Sequence, residues 1–526
     1  MGILRTRRER EGFACGGGEA WAMKRRPIRH ILQLAVALLG IAALITQTPA
    51  IAGAKGSKGS KPTAGTTVKF GTPVRLPTFE SCGGYEPGIA LDRFGNIFVT
   101  AHKQNHCDAV ALDPSAPDGV RAQSWLWTSS DGVNFTDMPG LANLPAAPDQ
   151  LDLGDEGDIA LDDAGHFYFV DTKVADDSFG RWTVTGLGTS HMTQDIHRPV
   201  MPTLMPVDDR PWVTAHGSST VMYAGNEGDK DTYNVGDTAA GCTGVVPPPT
   251  PGDPSSVKGG RYTVFMSHDA GASFDPVGCT LPDSGWCRPG ADHAPGSAYL
   301  YMVCTNDGHA DYEVNNPGDP GFTVGTLLSF VSADDGATWK RYEMGTYNES
   351  IPGGGDGDVS WPSMKVANDG SVYALFSDPV TTVDSAGNVV KTGARLKLFR
   401  SVDHGQHWTM QDVTPANPGI IRYSWMDVAP DGKSIGVGYM THSDINGNWH
   451  VYAGRSSGFG SAVSYALVDP AEIAPAGDFV FGDFFEVAFD PLGRLDVVYT
   501  RCTDLVPGDD TTDCLNSDVY FARTIS

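Results

Sequence analysis

One eight-residue phrase reads Ser332-Ala333-Asp334-Asp335-Gly336-Ala337-Thr338-Trp339, and approximate copies of it recur along the chain. Each copy follows an apolar run and ends near an aromatic residue. The Ser and Asp side chains can hydrogen-bond to turn amides, while glycine takes the positive φ that such a turn requires. The phrase therefore predicts a turn between two strands, with the aromatic ring packed between sheets. The copies are Ser267, Asp269, Gly271 and Phe274; Ser401, Asp403, Gly405 and Trp408; and a degenerate one, Thr128–Phe135, in which Ser130 stands where Asp is expected.

A second phrase divides the chain into units. It has small or apolar residues, an Asp, a turn ending in Gly, and then alternating apolar residues, as in Ile89-Ala90-Leu91-Asp92 followed by Gly95-Asn96-Ile97-Phe98-Val99. Apolar alternation on both sides of a Gly turn indicates a β-hairpin. The copies near Gly217 and Gly296 are the weakest. The phrase occurs seven times, with turn glycines at Gly95, Gly165, Gly217, Gly296, Gly370, Gly432 and Gly493.

The eight-residue phrase resembles the Asp-box (BNR) repeats of sialidases and related β-propellers. The resemblance extends over residues 66–526 and implies an all-β fold, a seven-bladed β-propeller with about four strands in each blade. Six blades are the alternative, if the weak copy near Gly217 is only an insertion. In that superfamily the Asp box is a structural turn away from the active-site face. The last unit lacks an outer strand, and we expect Thr67–Arg75 to complete it and close the ring.

The composition limits the range of functions. The 526 residues include 37 Lys and Arg against 63 Asp and Glu, which gives a formal net charge of −26. So acidic a surface repels phosphate backbones, which argues against nucleic acid as a partner. Hydrophobic residues make up 40% of the chain, enough for a packed core. The 64 Gly and 36 Pro, together with short apolar runs, argue against a helical bundle.

The N-terminus predicts export. A basic stretch, Lys24–Arg29, precedes an apolar run of 15 residues, Ile31–Ile45. A bilayer-spanning helix needs about 20 residues, so we interpret residues 1–54 as a signal peptide region, with Met23 as an alternative start and an uncleaved anchor as the alternative interpretation. Residues 55–65 are rich in Lys, Gly and Ser, which is typical of a flexible linker. We therefore expect a secreted, extracellular or cell-envelope protein with no membrane span after cleavage.

Eight cysteines follow the signal region, and an even number agrees with a set of disulfides. We favour the pairs Cys502–Cys514 and Cys82–Cys107, because each would close a short excursion between predicted strands. The sequence leaves three pairings open for the remaining four: Cys242, Cys279, Cys287 and Cys304. The sequence contains no C-x-x-C pattern, which argues against a zinc site built on cysteine.

The candidate functional residues precede the hairpin phrase. In a propeller the innermost strand of each blade starts at the rim of the central channel, so these residues should converge on one mouth. Counting nine positions back from the turn glycines gives Glu86, Glu156, Trp361 and Tyr423. Clustered carboxylates shift one another's pKa, as acid–base pairs require, and aromatic side chains offer flat faces to sugar rings. Neighbouring residues add further carboxylates, arginines and aromatics, among them Tyr85, Asp158, Arg210, Arg422, Trp425, Asp427, Asp483 and Glu486.

One of these positions has a closer resemblance. Tyr423-Ser424, followed by the turn Asp431-Gly432, is similar to the sialidase segment in which the Tyr is the nucleophile. The similarity implies that Tyr423 attacks the anomeric carbon with Glu156 or Asp158 as its base, because an unperturbed Tyr has a pKa of about 10. The family's Arg-Ile-Pro motif is replaced here by Tyr85-Glu86-Pro87. The predicted catalytic residues are Tyr423, Glu156, Asp158 and Glu86, and the predicted substrate-binding residues are Arg210, Arg422, Trp361, Trp425 and Asp483.

These observations favour a secreted carbohydrate-active propeller, a sialidase-like glycoside hydrolase that acts at the channel mouth. The alternatives are a polysaccharide lyase and a non-catalytic propeller that binds glycans or proteins, in which the rim consists of solvated turns. We expect a monomer whose partner is a carbohydrate or glycoconjugate, with no cofactor and no catalytic metal. Asp509, Asp510 and Asp513 offer oxygen ligands for a structural Ca²⁺, and a solvated acidic loop is the alternative.

Overall fold

The computed structural model consists of β-sheets that follow one another along the chain as the blades of a ring. Within the described residues, the one helical segment is a single 3₁₀ turn, Thr189–His191. The structure describes residues 68–78, 83–103, 124–138, 156–172, 178–196, 211–226, 240–245, 262–276, 278–306, 324–348, 362–383, 389–442, 447–474, 485–505 and 514–525.

Seven sheets form the blades, and one short strand, β1 (Val74–Arg75), precedes them. Blade 1 contains β2 (Gly84–Leu91), β3 (Ile97–Lys103), β4 (Trp125–Ser129) and β5 (Thr136–Asp137). Blade 2 contains β6 (Glu156–Leu161), β7 (His166–Thr172), β8 (Ser178–Val184) and β9 (Met192–Ile196). Blade 3 contains β10 (Trp212–His216), β11 (Thr220–Asn226), β12 (Ala240–Gly241), β13 (Tyr262–Ser267) and β14 (Cys279–Thr280).

The other four blades repeat the pattern. Blade 4 contains β15 (Ser284–Ala291), β16 (Leu300–Asn306), β17 (Val324–Ser332) and β18 (Lys340–Asn348). Blade 5 contains β19 (Ser363–Val366), β20 (Val372–Val383), β21 (Val389–Ser401) and β22 (Thr409–Asp412). Blade 6 contains β23 (Ile420–Val428), β24 (Ile435–His442), β25 (Trp449–Ser456) and β26 (Ser464–Leu467). Blade 7 contains β27 (Glu486–Phe489), β28 (Leu495–Leu505) and β29 (Cys514–Arg523).

The hairpin between the two innermost strands of a blade has the predicted turn. In blade 2, the Asp162 carboxylate accepts the backbone N–H groups of Gly165 (2.9 Å) and His166 (2.8 Å). Gly165 has a φ of 100°, in the region that favours glycine. Equivalent aspartates bind turn amides in blades 1 and 7, and in blade 6 Asp431, directly before the turn glycine, binds the amides of Lys433 and Ser434. Because every inner strand runs toward such a turn, the inner strands all begin at one end of the channel, which we call the mouth.

The eight-residue phrase forms the turn between the two outer strands of a blade. In blade 4, the Ser332 hydroxyl accepts the N–H of Gly336 (2.8 Å) and donates to Asp334 (2.8 Å). The Asp334 carboxylate also accepts the N–H of Thr338 (2.8 Å). The indole N–H of buried Trp339 donates to the Gly336 carbonyl (3.1 Å). Equivalent serine and aspartate contacts occur in blades 3 and 5, so the predicted strand–turn–strand device is confirmed.

The degenerate copy in blade 1 has a different register from the expected one. The sequence placed Thr128 and Ser130 at the Ser and Asp positions, and this was wrong, because Ser129 and Asp131 fill them. The Ser129 hydroxyl donates to Asp131 (3.0 Å), whose carboxylate accepts the N–H of Asn134 (2.8 Å). This turn is one residue shorter than the other three, since it lacks the left-handed residue that precedes their glycine.

The ring closes through the N-terminal strand, as predicted. β1 pairs antiparallel with β29, and Arg75 stands opposite Tyr520. Arg75 also forms an ion pair with Asp518 (2.7 Å). The inner strands of the first and last blades, β2 and β27, contact each other. The unit around Gly217 forms a sheet of its own, so the propeller has seven blades and the six-bladed alternative is excluded.

Two disulfides resolve the pairing that the sequence left open. They join Cys242–Cys279 in blade 3 and Cys287–Cys304 across β15 and β16. Cys502 is also disulfide-bonded. The side chain of its predicted partner, Cys514, lies outside the described residues, and so does the pair Cys82–Cys107. Both of those pairings stay predictions.

Aromatic and aliphatic side chains fill the space between neighbouring blades. Phe98 of blade 1, for example, stacks on Phe167 of blade 2 with 4.2 Å between ring centroids. In the described part of the chain, no helix is long and apolar enough to cross a bilayer. The predicted signal region 1–54 and linker 55–65 lie outside the described residues and stay predictions.

Candidate functional site

Five side chains from different blades meet in the channel. Blades 2, 6 and 7 contribute Asp158, Trp425 and Glu486, each seven positions before its turn glycine. Blade 4 contributes Arg288, which stands eight positions before its glycine. Trp212, the first residue of β10, lies beside Arg288. We call these five residues the Arg288 cluster.

Arg288 is the centre of the cluster. Its Nη2 donates to Oε1 of Glu486 (2.9 Å), and its Nη1 lies 3.6 Å from Oδ1 of Asp158. The guanidinium carbon lies 4.0 Å from the ring centroid of Trp212 and 4.9 Å from that of Trp425. A guanidinium group is weakly hydrated and stacks favourably on aromatic faces. Two carboxylates and two indole rings thus hold this arginine, and 14% of its side chain remains exposed.

The two carboxylates of the cluster also join neighbouring blades. Oε2 of Glu486 accepts the N–H of Ile89 (2.8 Å), and Oδ2 of Asp158 accepts the N–H of Val213 (2.8 Å). Burial raises the pKa of Glu486 to about 7, against the opposing effect of the Arg288 charge. Burial also raises the pKa of Asp158. A carboxyl group whose pKa is near neutrality can both give and take a proton, as acid–base catalysis requires.

Toward the turn glycines, the channel widens into a chamber of about 580 Å³. Arg288, Trp425 and Glu486 line its end nearest the mouth. The channel widens because the next channel-facing level consists largely of small residues, namely Ala90, Ala160, Thr214, Gly290 and Ala488. At the same level Lys365 and Asp427 form an ion pair, with 3.5 Å between Nζ and Oδ1. Charged side chains stand on both sides of this level: Arg288 and Glu486 nearer the mouth, and Asp92, Arg93, Asp162, Asp163 and His293 nearer the turn glycines.

Two of the predicted residues, Asp158 and Trp425, belong to the Arg288 cluster. Tyr423 lies two residues before Trp425 on β23 and packs in the buried core, with 2% of its surface exposed. The guanidinium carbon of Arg422 lies 5.6 Å from the centroid of the Tyr423 ring. The described residues that line the chamber do not include Tyr423 or Arg422. Both lie closer to the start of their strand than the cluster does.

Glu86 occupies an unusual backbone position on the inner strand of blade 1. Its φ is 51°, and it lies at a bulge between Tyr85 and Gly88. A non-glycine residue in this region carries a conformational cost that the surrounding structure must offset. The buried Glu86 carboxylate lies 3.1 Å from Nε2 of His102, and the Tyr85 ring packs on the His102 ring with 4.6 Å between centroids. Glu86 therefore contacts β3 rather than Arg288.

The remaining predicted residues are not described at the side-chain level. Glu156 begins β6, but its side chain lies outside the described residues. The same holds for Arg210, Trp361 and Asp483, and for the candidate Ca²⁺ ligands Asp509, Asp510 and Asp513. All of these stay predictions. Among the residues that the structure does describe, no group of three or more His, Cys, Asp or Glu side chains could hold a metal ion.

Counting along the sequence did not find Arg288 or Trp212. A count of seven positions back from the turn glycine, instead of nine, would have returned Asp158, Trp425 and Glu486 together. It would still have missed Arg288 by one residue, because the hairpin turn of blade 4 is longer. The repeat therefore did indicate these positions, but the channel-facing residues stand two positions, one strand period, closer to the turn glycine than the count assumed.

Comparisons with known proteins show similarity in fold. No protein family and no curated protein matches the sequence. Among solved structures, a protein of unknown function from Dyadobacter fermentans DSM 18053 is 13% identical, covering 87% of this chain and 99% of its own, with a TM-score of 0.41. Trypanosoma rangeli sialidase is 10% identical, covering 86% of this chain and 57% of its own, with a TM-score of 0.35. The α-L-arabinanase of Penicillium chrysogenum is 10% identical, covering 86% and 98%, with a TM-score of 0.36. Similarity at this level carries no argument about the site.

Proposed function

We propose that this chain is a carbohydrate-active propeller, a glycoside hydrolase whose site lies in the central channel, between the mouth and the chamber. The Arg288 cluster is the observation that carries the proposal. It combines two buried carboxylates, Asp158 and Glu486, with an indole ring, Trp425, at the border of a chamber. Most glycoside hydrolases use a pair of carboxyl groups, and aromatic faces pack well on sugar rings.

The two carboxyl groups have environments suited to different roles. The raised pKa of Glu486, about 7, keeps a large fraction protonated near neutrality, so it can donate a proton to the departing glycosidic oxygen. Asp158 supplies the second carboxylate beside Arg288. The sialidase-like assignment of Tyr423 as nucleophile, with Glu156 or Asp158 as base and Glu86 beside them, belongs to the same proposal. So does substrate binding by Arg210, Arg422, Trp361, Trp425 and Asp483.

Export agrees with this proposal. The disulfides Cys242–Cys279 and Cys287–Cys304 are of the kind that persists in oxidising compartments. An extracellular or cell-envelope hydrolase would meet polymeric carbohydrate there, and the basic and apolar segments before residue 54 are what a secretory signal requires.

A non-catalytic binding propeller is the second candidate, and one observation favours it. Asp158 and Glu486 accept backbone N–H groups from neighbouring blades as well as contacting Arg288. Groups that hold blades together in this way need no chemical role. In that case the mouth would recognise a glycan or a protein without turning it over.

The test is hydrolysis of a panel of 4-nitrophenyl glycosides, sialosides and polysaccharides by the wild type and by Glu486→Gln. We expect the variant to lose roughly 100-fold in kcat/KM, because the proton donor is removed. The matched control is Asp496→Asn: Asp496 is also buried, is paired with Arg523 and has a pKa raised to about 6, but it does not line the chamber.

Three outcomes separate the candidates. Equal losses in both variants would mean that Glu486 acts through stability alone. Absence of turnover on every substrate, with retained glycan binding, would favour the binding propeller. An unsaturated product that absorbs in the ultraviolet would identify a polysaccharide lyase. Tyr423→Phe and Glu156→Gln, assayed beside them, test the sialidase-like assignment.

A further inference from the structure

The positive charges at the Arg288 cluster and at the next level of the channel lie beside carboxyl groups. Arg288 donates to Glu486 at 2.9 Å and lies 3.6 Å from Asp158, while Trp212 and Trp425 pack against its guanidinium plane. Nη1 of Arg288 forms no hydrogen bond within the described part of the chain, but the Asp158 carboxyl group lies beside it. An incoming carboxylate would therefore compete with Asp158 and Glu486 for this guanidinium.

The second cation of the channel is paired as well. Nζ of Lys365 lies 3.5 Å from Oδ1 of Asp427, and Oδ2 of Asp427 accepts the N–H of Phe489 (2.6 Å). Asp427 is buried, with 6% of its surface exposed, so its position is fixed by two partners. Among the described residues that line the chamber, carboxyl groups outnumber arginine and lysine side chains: Asp92, Asp162, Asp163, Asp427 and Glu486 against Arg93, Arg288 and Lys365. The surplus remains when Glu486, whose pKa is about 7, is counted as neutral.

A substrate carboxylate would meet an unfavourable field at this site. A substrate carboxylate beside Arg288 would lie close to the Asp158 and Glu486 carboxyl groups, so one of the three would have to take up a proton or leave the guanidinium. The protein as a whole, with a net charge of −26, also repels anions before they reach the mouth. Uncharged sugars carry only hydroxyl groups, which can hydrogen-bond to the same carboxylates, and they pack on an indole ring without disturbing the ion pairs.

We propose that the site takes an uncharged sugar unit and rejects sugar acids, sialic acid and uronic acids included. This inference rests on the proposed carbohydrate-active function. It goes beyond that function because it names the substrate class, and it departs from the anionic substrate that a sialidase-like site would bind.

The test compares substrates that differ by one carboxylate. The wild type is assayed on 4-nitrophenyl glucosides against glucuronides and on galactosides against galacturonides, in both anomers, and on 4-methylumbelliferyl sialoside. We expect kcat/KM for the best neutral member to exceed that of its acidic counterpart by roughly 100-fold, as like-charge repulsion in a desolvated site predicts. In parallel, affinity gel electrophoresis measures binding to neutral galactan and to polygalacturonate.

Two variants test the electrostatic cause. Asp427→Asn removes the charge that neutralises Lys365 and keeps an acceptor for the Phe489 N–H, so we expect the preference for the neutral substrate to fall by roughly tenfold. Lys365→Met removes the cation instead, and we expect the preference to hold or increase. Changes in the same direction in both variants would overturn the electrostatic explanation.

The outcomes distinguish this inference from the function on which it rests. Hydrolysis of sialoside or uronides at least as fast as of neutral glycosides would overturn the inference and leave the hydrolase standing. No turnover, with retention on galactan and none on polygalacturonate, would overturn the hydrolase and support the inference for a binding site. With no turnover, retention on polygalacturonate, or on neither polymer, would overturn the inference as well.

Discussion

The carboxyl group of Glu486 shows how one residue acquires both a structural and a chemical role. It lies in the channel between the Ile89 N–H and Arg288, and burial raises its pKa to about 7. Its partners favour the charged form and burial opposes it. Because burial is the larger effect, the folded state holds the proton of Glu486 more tightly than the unfolded chain does.

This imbalance predicts how stability depends on pH. Below the unfolded pKa, near 4.5, Glu486 is protonated in both states; as the pH rises through about 7, the unfolded state ionises first and the free energy of unfolding falls. We expect the wild type to lose about 1 to 3 kcal/mol relative to Glu486→Gln over this window. Denaturant unfolding of both proteins between pH 4 and pH 8 measures the difference, and parallel curves would contradict the prediction.

Turn glycines predict a second effect at the residue scale. Gly336 has a φ of 86°, and a Cβ there would lie 2.6 Å from Sδ of Met266 in the preceding blade, blade 3. We expect Gly336→Ala to cost about 3 kcal/mol in the free energy of unfolding, from backbone strain plus overpacking. Gly432 has a φ of 68° with nothing near its Cβ position, so Gly432→Ala, the control, should cost about 1 kcal/mol. Equal costs would show that packing against Met266 contributes nothing.

At the scale of the element, the outer-strand turns tolerate a change in length. Three of them share one pattern, and the turn of blade 1 preserves its hydrogen bonds with one residue fewer. The serine hydroxyl still accepts the glycine N–H, and the aspartate carboxylate still accepts the N–H of the residue before the aromatic one. The spacing of the Ser, Asp and Gly residues in the sequence is therefore a weaker predictor of this turn than the hydrogen bonds that they can form.

The shortened turn gives a direct test of its register. Asp131 accepts three hydrogen bonds from the Val133 and Asn134 residues, and these contacts lower its pKa. We expect Asp131→Ala to reduce the free energy of unfolding by about 1 kcal/mol, since exposed hydrogen bonds contribute modestly. Ser130 is exposed, and Ser130→Ala should change the free energy of unfolding by less than about 0.5 kcal/mol. Chemical denaturation measures both changes. A larger loss of stability for Ser130→Ala than for Asp131→Ala would support the register that the sequence suggested.

At the scale of the molecule, stability depends on closing the ring. β1 covers the outer edge of blade 7, Leu76 packs in the core between blades 1 and 7, and the Trp127 indole N–H donates to the Pro77 carbonyl (2.8 Å). An uncovered edge strand exposes unpaired backbone groups and promotes association between chains.

Removal of this segment should therefore be costly. Compared with a chain that begins at residue 67, one that begins at residue 79 should unfold at a temperature lower by about 5 °C or more and should aggregate on heating. Arg75→Ala keeps the strand and removes only its half-exposed ion pair with Asp518, so we expect little change. Thermal unfolding with light scattering measures both. An unchanged unfolding temperature after truncation would mean that β1 is dispensable.

The sequence alone determined the repeat and its direct consequences: hairpins at seven glycines, the strand–turn–strand device and the N-terminal strand that completes the last blade. The structure decided between seven blades and six. These features are local, because each rests on residues a few positions apart whose side chains bind the turn that they flank. Only the tertiary structure decided which side chains meet on the axis. Arg288 contacts residues 130 and 198 positions away. The bulges beside Glu86 and Tyr423 break the alternation on which counting depends. Which residue of each inner strand faces the channel at a given level depends on how all seven blades fit together in the closed ring. No single segment of the sequence therefore encodes it.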